Sequence, residues 1–262
     1  MNFNMKTIRH LLCFVVFSLA AFCAFAQANP YPEENDEYAY AETVKYQGQK
    51  PIINDFINAY FGEESEDELN GYLSDLWHRY LKNGPLDKTE KVTVDSKNGF
   101  ASFEKVYPPD EYDTEGSRTL VEMCYWNSSD GNHKIFAESV QLFHGDRAIE
   151  TEFSGLVFGI YNNATHKITY VTQYVMGIEV KTGMENLGVI VDKGEYFLTN
   201  YETNERKPIT EEQYNNWWNE YPVVTYSLPR VGKDITAVIN NRPEGKKEVI
   251  VKWNGLRFDV QQ

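Results

Sequence analysis

The sequence predicts an α+β protein in which an N-terminal helical hairpin packs on a mainly antiparallel β-sheet region. That region is expected as a sandwich or an open meander, with a short inserted helix near residues 210–219. Three observations carry this reading. Apolar residues recur at helical spacing between Ile52 and Leu81. From Lys91 onward the period falls to two, the repeat of a half-buried strand. Finally, an apolar strand, an Asn-opened turn, a basic residue and a second strand recur three times, as in a meander of hairpins.

The chain opens on Lys6 and Arg9, an apolar run over residues 11–22, and Ala24-Phe25-Ala26. These are the three parts of a secretory signal peptide, residues 1–26, cut before Gln27. The run is too short, and too soon followed by polar residues, for a membrane span. A lipoprotein anchored at Cys23 is not expected, because a small residue is wanted before that cysteine and Phe22 is bulky. The expected address is the periplasm or the extracellular space, with no membrane span after cleavage. Residues 27–50, rich in Pro, Glu and Tyr and without a period, read as a flexible tether.

The hairpin is expected over residues 51–88. Pro51 suits a first helical position, and Ile52, Ile53, Phe56, Ile57, Tyr60 and Phe61 follow at helical spacing before Gly62 ends the helix. Ser65 with Glu68 forms a capping box for the second helix. Leu69, Leu73, Leu76 and Tyr80 with Tyr72, Trp77 and Leu81 make its wide apolar stripe, and Gly84-Pro85 stops it. A short loop implies antiparallel packing, and the apolar face needs the following sheet as its partner.

Residues 89–262 read as the antiparallel β region. Val92 and Val94 lead through Ser96-Lys97-Asn98-Gly99 to Phe100 and Phe103, a hairpin pattern. The repeats turn at Asn127, at Asn162-Asn163 and at Asn240-Asn241, because Asn tolerates the left-handed conformation and bonds its own backbone. Their irregular spacing argues against a propeller or solenoid. His133, His166 and Lys246 share one slot, which reads as a solvent-facing turn, and a basic residue at a strand start keeps an edge soluble. A helix insertion is expected over residues 193–222. There Thr210 and Gln213 make a capping box, Tyr214, Trp217 and Trp218 ride the helix, and Pro222 ends it. Trp253-Asn254-Gly255-Leu256-Arg257-Phe258 closes the chain with a tight hairpin.

Composition bounds the chemistry. The 39 acidic residues outnumber the 25 basic ones for a net charge of −14, a balance that repels nucleic acid and anionic lipid headgroups. Cys13 and Cys23 lie in the signal, so Cys124 stands alone in an apolar run and reads as a buried, inert thiol. His78, His133, His144 and His166 show no metal-ligand spacing, and neither G-x-S-x-G nor a glycine-rich phosphate loop occurs. The acidic run at residues 63–68 suits a helix N-terminus. Asn127-Ser128-Ser129 and Asn163-Ala164-Thr165 match the glycosylation pattern, but turn chemistry accounts for both. No catalytic residue, metal or cofactor is expected. The ligand-binding candidates are Trp217, Trp218 and Tyr214, since adjacent helical positions face different ways and one ring stays exposed.

Four segments carry a resemblance: Glu122-Met123-Cys124-Tyr125-Trp126-Asn127, Asp130-Gly131-Asn132-His133-Lys134, Ser227-Leu228-Pro229-Arg230-Val231-Gly232-Lys233-Asp234-Ile235, and Lys252-Trp253-Asn254-Gly255-Leu256-Arg257-Phe258. Together they resemble a group of secreted or periplasmic proteins of Bacteroidetes with no assigned activity. The resemblance implies a Gram-negative envelope location and no residue role. The expected function is a non-enzymatic envelope module that binds a protein or a glycan. The alternatives are a carboxylate-based hydrolase of envelope or dietary polymer, and a cone-shaped α+β fold, like that of nuclear transport factors, around a small ligand.

Overall fold

In the computed structural model the described residues are 31, 41–61, 68–151, 153–170, 172–176, 179–242 and 244–261. The expected signal peptide, Gly62, Ser65 and most of the acidic run lie outside them. The chain divides into two units, Met1–Tyr38 and Ala39–Gln262, and every described helix and strand belongs to the second.

Helical periodicity becomes α1 (Ile53–Phe61) and α2 (Glu68–Leu81). Helix α1 starts two residues beyond Pro51. The Ile52 N–H donates to the Asp55 carboxylate at 2.8 Å, so the cap comes from inside the first turn. Ile53, Phe56, Ile57 and Phe61 are buried along one face. From α2 come Leu73, Leu76 and Trp77, whose indole donates to Asn58 Oδ1 of α1 at 2.7 Å. These residues share one core cluster with Phe103, Val121, Met123, Phe136, Val140 and Tyr161 of the strands that follow.

Those strands are β1 (Ala41–Thr43), β2 (Glu90–Asp95), β3 (Phe100–Tyr107), β4 (Ser117–Asn127), β5 (His133–His144), β6 (Arg147–Ile149), β7 (Gly155–Asn162) and β8 (Lys167–Tyr170). They form an eight-stranded sheet in the order β1-β8-β7-β5-β4-β3-β2, with β6 beside β5 and every pair antiparallel. A single helical turn, α3 (Thr172–Val175), follows. Strands β9 (Leu187–Asp192), β10 (Glu195–Asn200) and β11 (Arg206–Ile209) make a three-stranded sheet, trailed by α4 (Glu211–Glu220). Strands β12 (Val224–Ser227), β13 (Ile235–Ile239), β14 (Lys247–Trp253) and β15 (Phe258–Gln261) make a four-stranded sheet in sequence order.

Antiparallel sheet with a minority of helix is thus the observed class. Three expectations need correction. The tether expected through residue 50 is interrupted by β1, where Ala41 pairs with Thr169 and Thr43 with Lys167 of β8. Backbone groups make that contact, so it leaves no side-chain pattern to read. The insertion expected over residues 193–222 starts earlier, at β9, and carries a sheet of its own. The slot shared by His133, His166 and Lys246 has no common environment. His166 and Lys246 are exposed, but His133 is buried with Nδ1 2.6 Å from Asp130 Oδ2. Next to it, Lys134 is buried with its ammonium 5.0 Å from the centre of the Tyr125 ring and bonded to Asn127. Strand β5 is central, so its first residues are covered from both sides and protect no edge.

Strand β5 is buried along nearly its whole length, so both of its faces are covered. Phe136 and Val140 point to the cluster that holds the helices. Ser139 and Gln141, of opposite parity, donate to the Tyr226 carbonyl of β12 at 2.5 and 2.8 Å. The Leu228 N–H donates to Glu122 at 2.9 Å. Strand β12 is the edge of its sheet, and polar side chains of β4 and β5 occupy backbone groups at that edge. Phe258 of β15 stacks on Phe158 at 5.2 Å and meets Trp126 edge-on at 4.9 Å.

One ionic node ties α2 to β2. Glu90, whose side chain is 2% exposed, accepts from both terminal guanidinium nitrogens of Arg79 at 2.9 and 3.0 Å. The Tyr72 hydroxyl donates to it at 2.7 Å and the Asp87 N–H at 2.9 Å. The Arg79 bonds, against the opposing pull of burial, hold the Glu90 carboxyl down at about 2.

Candidate functional site

A cavity of about 670 Å³ opens where the start of β7, the stretch from α3 towards β9, and the start of β12 converge. Its apolar wall is Leu156, Met176, Val180, Pro222 and Val224. Its polar wall includes the carboxylates Glu150, Glu179 and Glu185, the tyrosines Tyr221 and Tyr226, and the hydroxyls of Ser154, Thr172 and Thr182. None of the described lining residues is Lys, Arg or His.

Each polar group has a local reason for its place. Tyr226 alternates inward on β12 and is buried. Burial, with the Glu179 charge adding to it, pushes its hydroxyl up to about 12 against a hydrogen bond from the Val180 backbone. Tyr221 is the C-cap of α4, extended at φ −65° and ψ 131° because Pro222 disfavours helix at the residue before it. Burial raises its hydroxyl too, helped by the charges of Glu150 and Glu185. Both phenols are therefore neutral donors at ordinary pH. Burial pushes the Glu185 carboxyl up, but the backbone N–H groups of Glu185, Gly183 and Thr182, with the Thr182 hydroxyl, outweigh it and hold the group below its usual range. Its Oε1 accepts from the Thr182 N–H, from the Gly183 N–H at 3.0 Å and from the Thr182 hydroxyl at 3.2 Å. Glu185 is thus a fixed negative charge that also closes a turn. Glu150, Glu179 and Glu185 are all exposed, at the rim.

Neither of the sequence-predicted ligand residues Tyr214 and Trp217 lines this cavity, and only Trp217 touches a residue that does. The Tyr214 ring lies 4.9 Å from that of Tyr196, so it fastens α4 to β10. Trp217 is half-buried with its ring 5.8 Å from Tyr221, and so backs one wall of the cavity. The side chain of Trp218 lies outside the described residues. Sequence reasoning missed Glu150, Glu179, Glu185, Tyr221 and Tyr226. They come from separate segments, and 39 acidic residues hide any three.

A hydrolase acid needs a carboxyl held protonated near neutral pH. Among the described residues, burial raises the carboxyls of Glu122 and Asp55, and neither lines the cavity. No three described His, Cys, Asp or Glu side chains come close enough to cage a metal ion. No described helix is long and apolar enough to cross a membrane.

The site is therefore a ligand-sized acidic cavity with one apolar wall, built on an antiparallel β framework. No family model, curated protein or solved structure matches the chain.

Proposed function

We propose that this chain is an exported, non-enzymatic binding module of the bacterial envelope, and that its ligand, a segment of protein or glycan, enters the cavity between β7 and β12. The observation that carries the reading is the cavity itself. Its volume of about 670 Å³ falls within the range of small-molecule and side-chain recognition sites. It joins an apolar wall to a few convergent polar groups, the usual composition of such sites. Export rests on Lys6, Arg9, the apolar run and Ala24-Phe25-Ala26; the bacterial envelope rests on the resemblance of the four quoted segments.

The finer architecture belongs to the same proposal. Helices α1 and α2 are an antiparallel hairpin on one face of the eight-stranded sheet, as the Trp77–Asn58 bond and the shared core cluster support. Strands β12–β15 are the second layer of a sandwich, as the Ser139, Gln141 and Phe258 contacts support. The cavity then lies at a mouth between layers. Trp217, behind Tyr221, contributes to one wall without forming a platform of its own.

The test is a screen of soluble oligosaccharides and peptides for a rise in unfolding temperature, repeated on Leu156→Trp, which fills the cavity from its half-buried apolar wall. The expected result is a ligand whose shift disappears in that variant. Hydrolysis of an oligosaccharide that is abolished by Glu179→Gln would establish the hydrolase alternative and overturn this reading.

A further inference from the structure

We propose that the cavity selects an aliphatic amine, an ammonium group carried on a hydrocarbon stem. This rests on the cavity being the ligand site and goes on to name the ligand's chemistry.

Four observations converge. First, Glu150, Glu179 and Glu185 face one space in which no described lining side chain is basic. An anionic ligand would meet only repulsion there, and the chain as a whole, at net −14, adds to that field. Second, among the described residues these three carboxylates do not form a group that could cage a metal ion. A point cation such as calcium needs several oxygens around one centre, so the site suits an organic cation better than a bare metal ion. Third, Leu156, Met176, Val180, Pro222 and Val224 offer apolar surface in the same cavity. A sugar would leave much of that surface without a partner, whereas the methylene stem of an amine covers it. Fourth, Tyr221 lies in the field of both Glu150 and Glu185, and its phenol stays neutral. A neutral aromatic face beside carboxylates is a recurring receptor for an ammonium group.

The parts also divide the work. Glu185 is held by the turn at residues 182–185, so its charge is in place before any ligand arrives. Like Glu185, Glu150 and Glu179 are exposed, and together the three charges draw a cation towards the cavity. A free diamine and a lysine side chain on a peptide share this chemistry, and both are probes in the test.

Isothermal titration calorimetry on the purified protein compares four probes: cadaverine, the pentane diol of equal length, glutarate, and acetyl-lysine methylamide. Cadaverine or the lysine derivative is expected to bind, and the tighter of the two identifies the source. The diol and glutarate are expected to give no heat of binding. Glu150→Gln and Glu179→Gln, both at exposed positions, should each weaken the amine about tenfold, the usual scale for losing one charge-assisted contact. Added salt should weaken it further. Glu248→Gln, exposed on β14 and away from the cavity, should change nothing. The proposal fails if the diol binds as well as the diamine, if both rim variants keep full affinity, or if no amine binds. An oligosaccharide that binds in the cavity while amines do not would overturn this inference and leave the binding-module reading standing. Silence of the amines together with a Leu156→Trp variant that affects no ligand would overturn both.

Discussion

Replacing Glu90 with Gln probes the node between α2 and β2 at its most buried atom. Gln mimics the protonated acid, so the variant reports what the negative charge is worth. The folded carboxyl is held at about 2 against an ordinary 4.5. That difference corresponds to about 3 kcal/mol of stability at neutral pH. Arg79 is 30% exposed and Glu90 2%, so solvent at the guanidinium trims the figure to about 2 kcal/mol. The sign follows from the direction of the shift. A carboxyl depressed in the folded state stabilises above its unfolded value of 4.5 and loses that stabilisation as pH falls towards 2. At about pH 3 roughly 40% of the neutral-pH contribution survives. Urea unfolding of the wild type and of Glu90→Gln, at neutral pH and near pH 3, measures the difference directly. The gap should be about 2 kcal/mol at neutral pH and about 1 kcal/mol at the lower pH. A gap below about 0.5 kcal/mol at neutral pH, the level of an ordinary surface substitution, would refute the reasoning. So would a gap that does not change between the two pH values.

Two further outcomes follow from the core. Phe56 is fully buried among the rings of Tyr125, Phe136 and Tyr161 at 5.2, 5.7 and 5.3 Å. Phe56→Ala should cost about 3–5 kcal/mol in chemical denaturation, and a loss under about 1 kcal/mol would mean that α1 does not pack on the sheet. Burial, and then the Glu122 charge, pushes the Cys124 thiol well above its usual value. The native protein should therefore leave a thiol-disulfide reagent unreacted at mildly alkaline pH and titrate fully once unfolded; rapid labelling of the native state would contradict that environment.

The elements that were legible are those whose cause is local. The Thr210–Gln213 capping box has both of its bonds, at 3.1 and 3.0 Å, because the partners are three residues apart in one turn. The Asn-opened repeats are the hairpins β4–β5, β7–β8 and β13–β14. Asn162 shows why: its side chain accepts from the Ala164 and Thr165 N–H groups at 2.8 and 3.3 Å, a geometry its own type supplies. At Asp192-Lys193-Gly194-Glu195, Lys193 and Gly194 take φ of 52° and 85°, the positive values a tight hairpin turn requires.

What stayed hidden depends on partners far along the chain. Nothing in Ala41-Glu42-Thr43 announces a strand, because its partner is the backbone of β8. His133 and His166 look alike in sequence, yet one is covered and the other is exposed, since His133 lies on strand β5 and bonds Asp130 whereas His166 sits in the turn before β8 at a φ of 59°. Tyr214 and Trp217 were visible as aromatics on a short helix, but the first fastens that helix to β10 and the second reaches the cavity only through Tyr221. By itself, then, the sequence determined the hairpins β2–β3, β4–β5, β7–β8, β9–β10, β13–β14 and β14–β15, the Thr210–Gln213 cap, the antiparallel class and the net acidic charge, because neighbouring residues and bulk composition decide those. The cavity was decided by tertiary structure alone. Its three carboxylates and two tyrosines come from segments that meet only after the edge of β12 is seated on β4 and β5. Which acids converge is a matter of distance in space, and spacing along the chain carries no record of that distance.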